Sequence, residues 1–178
     1  MNFRSTLQAT LAALLLSAGL PLAAADTQAT DTDGQVSVNW TDPEQFTEVR
    51  YSHTFNRPKP EVWLNELRKT LVRTGDRVLE PGQRLDVTIT DIKLAGREEP
   101  WRGPAYSDVR IVKSVYPPRI DLRFRLTDAD GNVIEDGTRE LRDLAFLHRG
   151  TTHSSEPYRF EKRLLKDWMS REFGDKES

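Results

Sequence analysis

The chain has 178 residues, 26 of them Lys or Arg and 28 Asp or Glu, for a formal net charge of −2. That near-balance argues against a nucleic-acid-binding role, which calls for a strongly basic domain. The absence of any cysteine excludes disulfides, thiolate catalysis, Cys-based zinc sites and cysteine lipidation together.

Residues 1–25 read as a cleavable secretory signal peptide. Arg4 is the only charge before Asp26, and an apolar stretch follows that is richest from Leu11 to Leu22. That stretch is too short to cross about 30 Å of hydrocarbon, which takes about 20 apolar residues. Gly19 and Pro21 break it, and Ala23-Ala24-Ala25 supplies the small-residue cleavage pattern. There is no twin-arginine pair, so the general export route is expected. Leu16-Ser17-Ala18-Gly19 resembles the start of a lipoprotein box, but Leu20 stands where the lipidated cysteine would be. The expected product is a soluble protein outside the cytoplasm, without lipid anchor or membrane span. Removal of the signal leaves about 150 residues, the usual size of one domain with its own core.

Residues 26–35 are small and polar and are expected to form a disordered leader. Val36 to Trp40 alternates as a first strand, ended by Thr41-Asp42-Pro43, and Phe46 to Tyr51 is expected to continue as irregular extended chain. A helix follows that can begin at Pro58 or Pro60, with Trp63, Leu64, Leu67 and Leu71 as its apolar stripe and Gly75 just past its end. Arg84 to Leu94 is a strand whose apolar set slips by one residue at Thr90-Asp91, which predicts a β-bulge there.

Arg119 to Thr127 alternates best of all, with Ile120, Leu122, Phe124 and Leu126 on one face. Asp128 to Asn132 is a turn and Val133 onward its hairpin partner, with Gly137 as a candidate second bulge. Leu141 to Leu147 fits strand or helix. A last helix is expected from Glu156 to Phe173, capped by Ser154 or Ser155, with Leu164, Leu165, Trp168 and Met169 facing the core. Glu161, Arg163, Lys166 and Asp167 would form its solvated face. The order predicts an α+β domain over residues 36–173, followed by a flexible tail at 174–178. Its mostly antiparallel sheet would have four to five strands, with two amphipathic helices packed on one face.

Chemistry is sparse. The histidines are His53, His148 and His153, and the last two, five apart, share neither a helix face nor a strand face. No nucleophile elbow, phosphate loop or zinc-helix motif is present. The Asp128 to Asn132 run fails the EF-hand pattern at Val133 and Arg139. No catalytic, cofactor or metal-ligating residue is therefore singled out.

Two features can bind. The segment Ala95 to Pro118 carries four of the ten prolines and mixes Trp101, Tyr106 and Tyr116 with Arg97, Arg102 and Arg110. Trp and Arg on an exposed loop are what binding hot spots use, whereas a flap that tucks Trp101 onto the sheet would have the same composition. Arg119, Arg123 and Arg125 share one strand face and can hold an anionic ligand, or form a solvated face balanced by Asp121 and Asp86.

One set of segments comprises Trp40-Thr41-Asp42-Pro43, Phe46 to Arg50, Thr90-Asp91-Ile92, Leu94-Ala95-Gly96 and Glu99 to Gly103. A second comprises Tyr116 to Leu122, Arg139 to Asp143, Glu161-Lys162 and Asp167-Trp168. Together they resemble the domain of unknown function 3016 family, small exported proteins of Gram-negative bacteria, over about Val36 to Phe173. The resemblance implies a periplasmic address and brings no activity or cofactor. The expected function is a non-catalytic binding or accessory module that contacts an envelope protein or an anionic envelope ligand. The alternatives are a metal-independent hydrolase of an envelope polymer, built around His148 or His153, and a purely structural domain.

Overall fold

A computed structural model describes residues 34–52, 58–149 and 155–174. The signal segment, most of the leader, His53, His153, Ser154 and residues 175–178 lie outside the described residues. Gln35, at the end of the expected leader, is tied down: its amide donates to the carbonyls of Glu80 (2.7 Å) and Gln83 (3.2 Å).

The sheet follows the alternation of its strands. Strand β1 (Val36–Trp40) pairs in parallel with β2 (Arg84–Lys93), because the chain between them crosses over as helices α1 (Thr47–Tyr51) and α2 (Pro60–Val78). Between β2 and the next long strand lies a small antiparallel pair, β3 (Arg97–Glu98) and β4 (Arg110–Ile111). Strand β5 (Arg119–Thr127) then pairs antiparallel with β2 and with β6 (Val133–Arg142), giving the order β1-β2-β5-β6. Helix α3 (Arg159–Phe173) closes the chain. The architecture is α+β, with one parallel pair in an otherwise antiparallel four-stranded sheet. Among the described residues no helix is long and apolar enough to cross a membrane.

Leu85, Val87, Ile89 and Ile92 of β2 and Ile120, Leu122, Phe124 and Leu126 of β5 are buried in one cluster with Trp63, Leu67 and Leu71 of α2 and Leu165, Trp168 and Met169 of α3. Phe124, Trp168 and Phe173 meet edge to face at 5.5–5.7 Å between centroids, the preferred geometry of aromatic quadrupoles. The expected bulge in β2 falls between Ile89 and Asp91, and it keeps Ile92 facing the core.

Several local expectations are corrected. Thr47–Tyr51 is a helical turn, not extended chain. Asp91, turned by the bulge, accepts the Thr47 N–H at 2.5 Å and its hydroxyl at 2.6 Å, and so satisfies a free donor at the helix start while Phe46 and Val49 are buried. Gly75 lies inside α2, not past it. A Cβ there would fall within the radius of Val36 Cγ2, so the glycine lets β1 approach the helix, which runs on to a Leu79 N–H to Gly75 carbonyl bond of 2.9 Å. The second bulge is at Ile134, between the Leu126–Glu135 and Thr127–Val133 pairs, and Gly137 pairs regularly with Phe124.

Helix α3 starts at Arg159, three residues later than expected, and its N-cap is Tyr158 in the left-handed region (φ 56, ψ 29), not a serine. Glu161 is buried rather than solvated, because its carboxylate is spent on a distant backbone N–H. The ambiguous 141–147 stretch ends β6 at Arg142 and continues as a turn. Phe146 anchors that turn against Phe160 at 4.9 Å.

Candidate functional site

Residues 95–118 connect two adjacent strands, so the segment is an enlarged hairpin connection lying over one end of the sheet. Gly96 starts it at φ +86, where a Cβ would sit 2.9 Å from the Ile111 carbonyl oxygen, so only glycine fits this close approach. The Gly96 N–H bonds the Tyr116 carbonyl at 3.0 Å and closes the base of the flap. Two 3-10 turns, Pro100–Arg102 and Pro104–Tyr106, form its tip, joined by Gly103 at φ +110.

Glu98, Glu99 and Arg110 of the flap turn inward and are paired. Glu99 is only 2% exposed and accepts from Lys113 Nζ at 2.6 and 2.8 Å and from the Tyr116 hydroxyl at 2.9 Å. The lysine hydrogen bond holds the Glu99 carboxyl below the usual range, and the Tyr116 phenol is raised in return. Arg110 donates to Glu48 of α1, lies 3.2 Å from Glu98, and reaches the carbonyls of Ala95 and Gly96 at 3.1 and 3.3 Å. Glu48 also accepts the Leu94 N–H at 3.0 Å, and Glu161 accepts that of Ala95 at 2.6 Å. Burial raises both carboxyls above their ordinary value, although Arg110 pulls Glu48 back and the Ala95 N–H pulls Glu161 back.

The flap's apolar side chains turn outward. Trp101 is 64% exposed and Tyr106 42% exposed. Arg97 lies 5.8 Å from the Trp101 ring centroid and Arg102 lies 5.1 Å from that of Tyr106, as cation–aromatic pairs. The expectation that Trp101 covers the core therefore does not describe this flap, although the segment does carry short elements of its own.

Two clefts flank Arg110. The larger, about 490 Å³, opens between the flap and the start of α3 over a floor of Val49, Trp63, Leu94 and Phe160. The smaller, about 370 Å³, opens between α1 and the flap base.

The residues singled out from sequence divide three ways. Trp101, Arg102 and Tyr106 stand together on the flap's outer surface. Arg110 and Arg119 are structural: Arg110 latches the flap, and Arg119 donates to Asp91 and, at 3.0 Å, to the Thr47 hydroxyl. Arg123 and Arg125 lie on the uncovered sheet face, in a shallow concavity shared with Asp86 and Asp136. Register places Arg125 between those two aspartates, the cross-strand balance expected of a solvated face. Arg123 and Arg125 thus share one concavity, and Arg119 does not line it. His148 is exposed on the 143–149 turn.

The clefts were not legible in the sequence. Glu48, Lys93 and Glu98 come from three different elements, and only the slipped alternation at Thr90-Asp91 hinted that this strand end is unusual.

A family model described as protein of unknown function (DUF3016) matches residues 34–171. No curated protein matches the chain, and no solved structure matches it.

Proposed function

The chain belongs to the DUF3016 family, a family of unknown function, and we propose that it acts as an exported, non-catalytic module that contacts another cell-envelope component through the flap. The observation that carries this reading is the division of the flap's side chains. Its ion pairs face inward and fix the loop, while Trp101 stays 64% exposed beside Arg102 and Tyr106. An aromatic anchor held rigid before contact costs little ordering entropy on binding, which is how a few Trp, Tyr and Arg residues come to dominate an interface. The signal-like segment at residues 1–25, with its small-residue exit at Ala25, supports a periplasmic address.

The test is site-specific crosslinking in intact cells. A photoreactive side chain at position 101 or 106 should give a discrete adduct on the mature protein, whose first residue is Asp26. The same group at Asp136, on the uncovered sheet face, should give none. Trp101→Ala should change stability by no more than about 0.5 kcal/mol, as for a surface site. Equal adducts from all three positions would overturn the reading, as would a large loss of stability in Trp101→Ala.

A further inference from the structure

Lys93 ends β2 where the chain turns into the flap, and its amine is half-buried. It points over the Tyr116 ring, 5.9 Å from the centroid. Among the described residues neither Lys93 nor Arg97 makes an ion pair or a side-chain hydrogen bond, and the side-chain contact of each is with an aromatic ring. Both line the smaller cleft, about 370 Å³, with Tyr51, Val115 and Tyr116 as its apolar walls.

The carboxylates in this cleft are Glu48 and Glu98, and both are engaged by Arg110. Among the described residues the lining therefore holds three cations against two carboxylates, with the excess at Lys93 and Arg97. Burial depresses the Lys93 amine; Glu48 offsets this, while Arg110, Arg97 and Arg119 add to the depression. A partly desolvated cation among guanidinium groups, whose nearest carboxylate is already paired with Arg110, is stabilised by an anion that enters.

We propose that the cleft between α1 and the flap base is an oxyanion site for a small carboxylate- or phosphate-bearing ligand with an apolar body. Lys93 and Arg97 hold the charged end, and Tyr51 and Tyr116 flank the apolar part. A volume near 370 Å³ suits a small organic anion. Lys93 contributes a point charge, while Arg97, exposed and stacked on Trp101, contributes a planar fork able to grip two oxygens. The site is independent of the flap reading, since it needs no macromolecular partner.

The experiment is a titration followed by amide NMR, with benzoate, phenyl phosphate and neutral benzyl alcohol as probes. The anions should saturate, with shifts centred on Lys93, Gly96 and Tyr116, while benzyl alcohol gives no saturable shift. Saturation by benzoate alone assigns a carboxylate ligand, and by phenyl phosphate alone a phosphate monoester. Lys93→Gln and Arg97→Gln should each weaken Kd at least fivefold with the spectrum still folded, and Arg142→Gln, on the β6 edge, should leave it unchanged. Raising the salt concentration should weaken binding. The proposal fails if neither anion saturates, or if the Lys93→Gln/Arg97→Gln double variant keeps the original Kd. Crosslinking at position 101 would be untouched by that failure, so the two readings fall separately.

Discussion

Glu161 and Glu99 are each 2% exposed, yet their surroundings push them in opposite directions. Glu161 lies three residues into α3 after its cap and accepts the Ala95 N–H, and among the described residues no cation is hydrogen-bonded to it. Burial raises its carboxyl. Glu99 has Lys113 against both oxygens and is lowered. For Glu161 the folded state holds the proton more tightly than the unfolded chain. Its contribution is therefore fully present below the ordinary glutamate value and is lost as pH rises through the raised one. Glu161→Gln keeps a carbonyl oxygen for Ala95 and removes the buried charge. We expect the variant to melt higher than the parent at neutral pH, with the difference closing on acidification below the ordinary glutamate range. A variant that melts lower at neutral pH would show that the ionised form is what Ala95 requires.

At the scale of elements, α2 shows how packing overrides a local signal. Glycine usually marks a helix end, and replacing one inside a helix by alanine usually gains about 1 kcal/mol. Here Gly75 is buried under Val36, whose β-branched side chain on β1 has little freedom to move. Gly75→Ala should therefore destabilise the protein, by roughly 1–3 kcal/mol as for an overpacked core, read from urea unfolding midpoints. A stabilised variant would mean that β1 shifts without cost.

The same logic separates what was legible in the sequence from what was not. Alternation in β2 and β5, the slip at Thr90-Asp91 and the apolar stripes of α2 and α3 are periodic, and period is readable along one chain. The α1 turn and the burial of Glu161 depend on partners 44 and 66 residues away at Asp91 and Ala95, and no window of sequence contains them. The flap was legible as a feature, because its prolines and aromatics cluster. The direction of its side chains was not, since inward Glu99 and outward Trp101 stand two apart in an aperiodic loop.

For the molecule as a whole, one buried cluster joins the four-stranded sheet to all three α-helices, while the flap from Arg97 to Val115 adds no side chain to it. What holds the flap is polar: the Glu99–Lys113 pair, the Arg110 latch and the β3–β4 pairing. Segments with few buried apolar contacts open below the global unfolding free energy. Because Glu99 is lowered, its contribution is present above the ordinary glutamate value and lost as pH falls through the lowered one. Acid acts the same way on Glu66, lowered by Lys69 and Lys162, on Glu156, lowered by Lys162, and on Glu172, lowered by Arg139; the Lys162 and Arg139 pairs tether α3. Helix α3, however, also buries Leu164, Leu165, Trp168 and Met169, so its place survives the loss of those pairs. Acidification should therefore open the flap before the core. Hydrogen exchange, corrected for intrinsic rates, should show protection at the Gly96 amide falling as pH drops through the carboxylate range, while amides of Phe124 and Leu165 stay protected. Glu99→Gln should show weak flap protection already at neutral pH, with little further change on acidification. Flap and core amides that lose protection together in the parent protein would mean that the flap is part of the cooperative unit, and that its outward aromatics are presented by the whole fold rather than by a locally pinned loop.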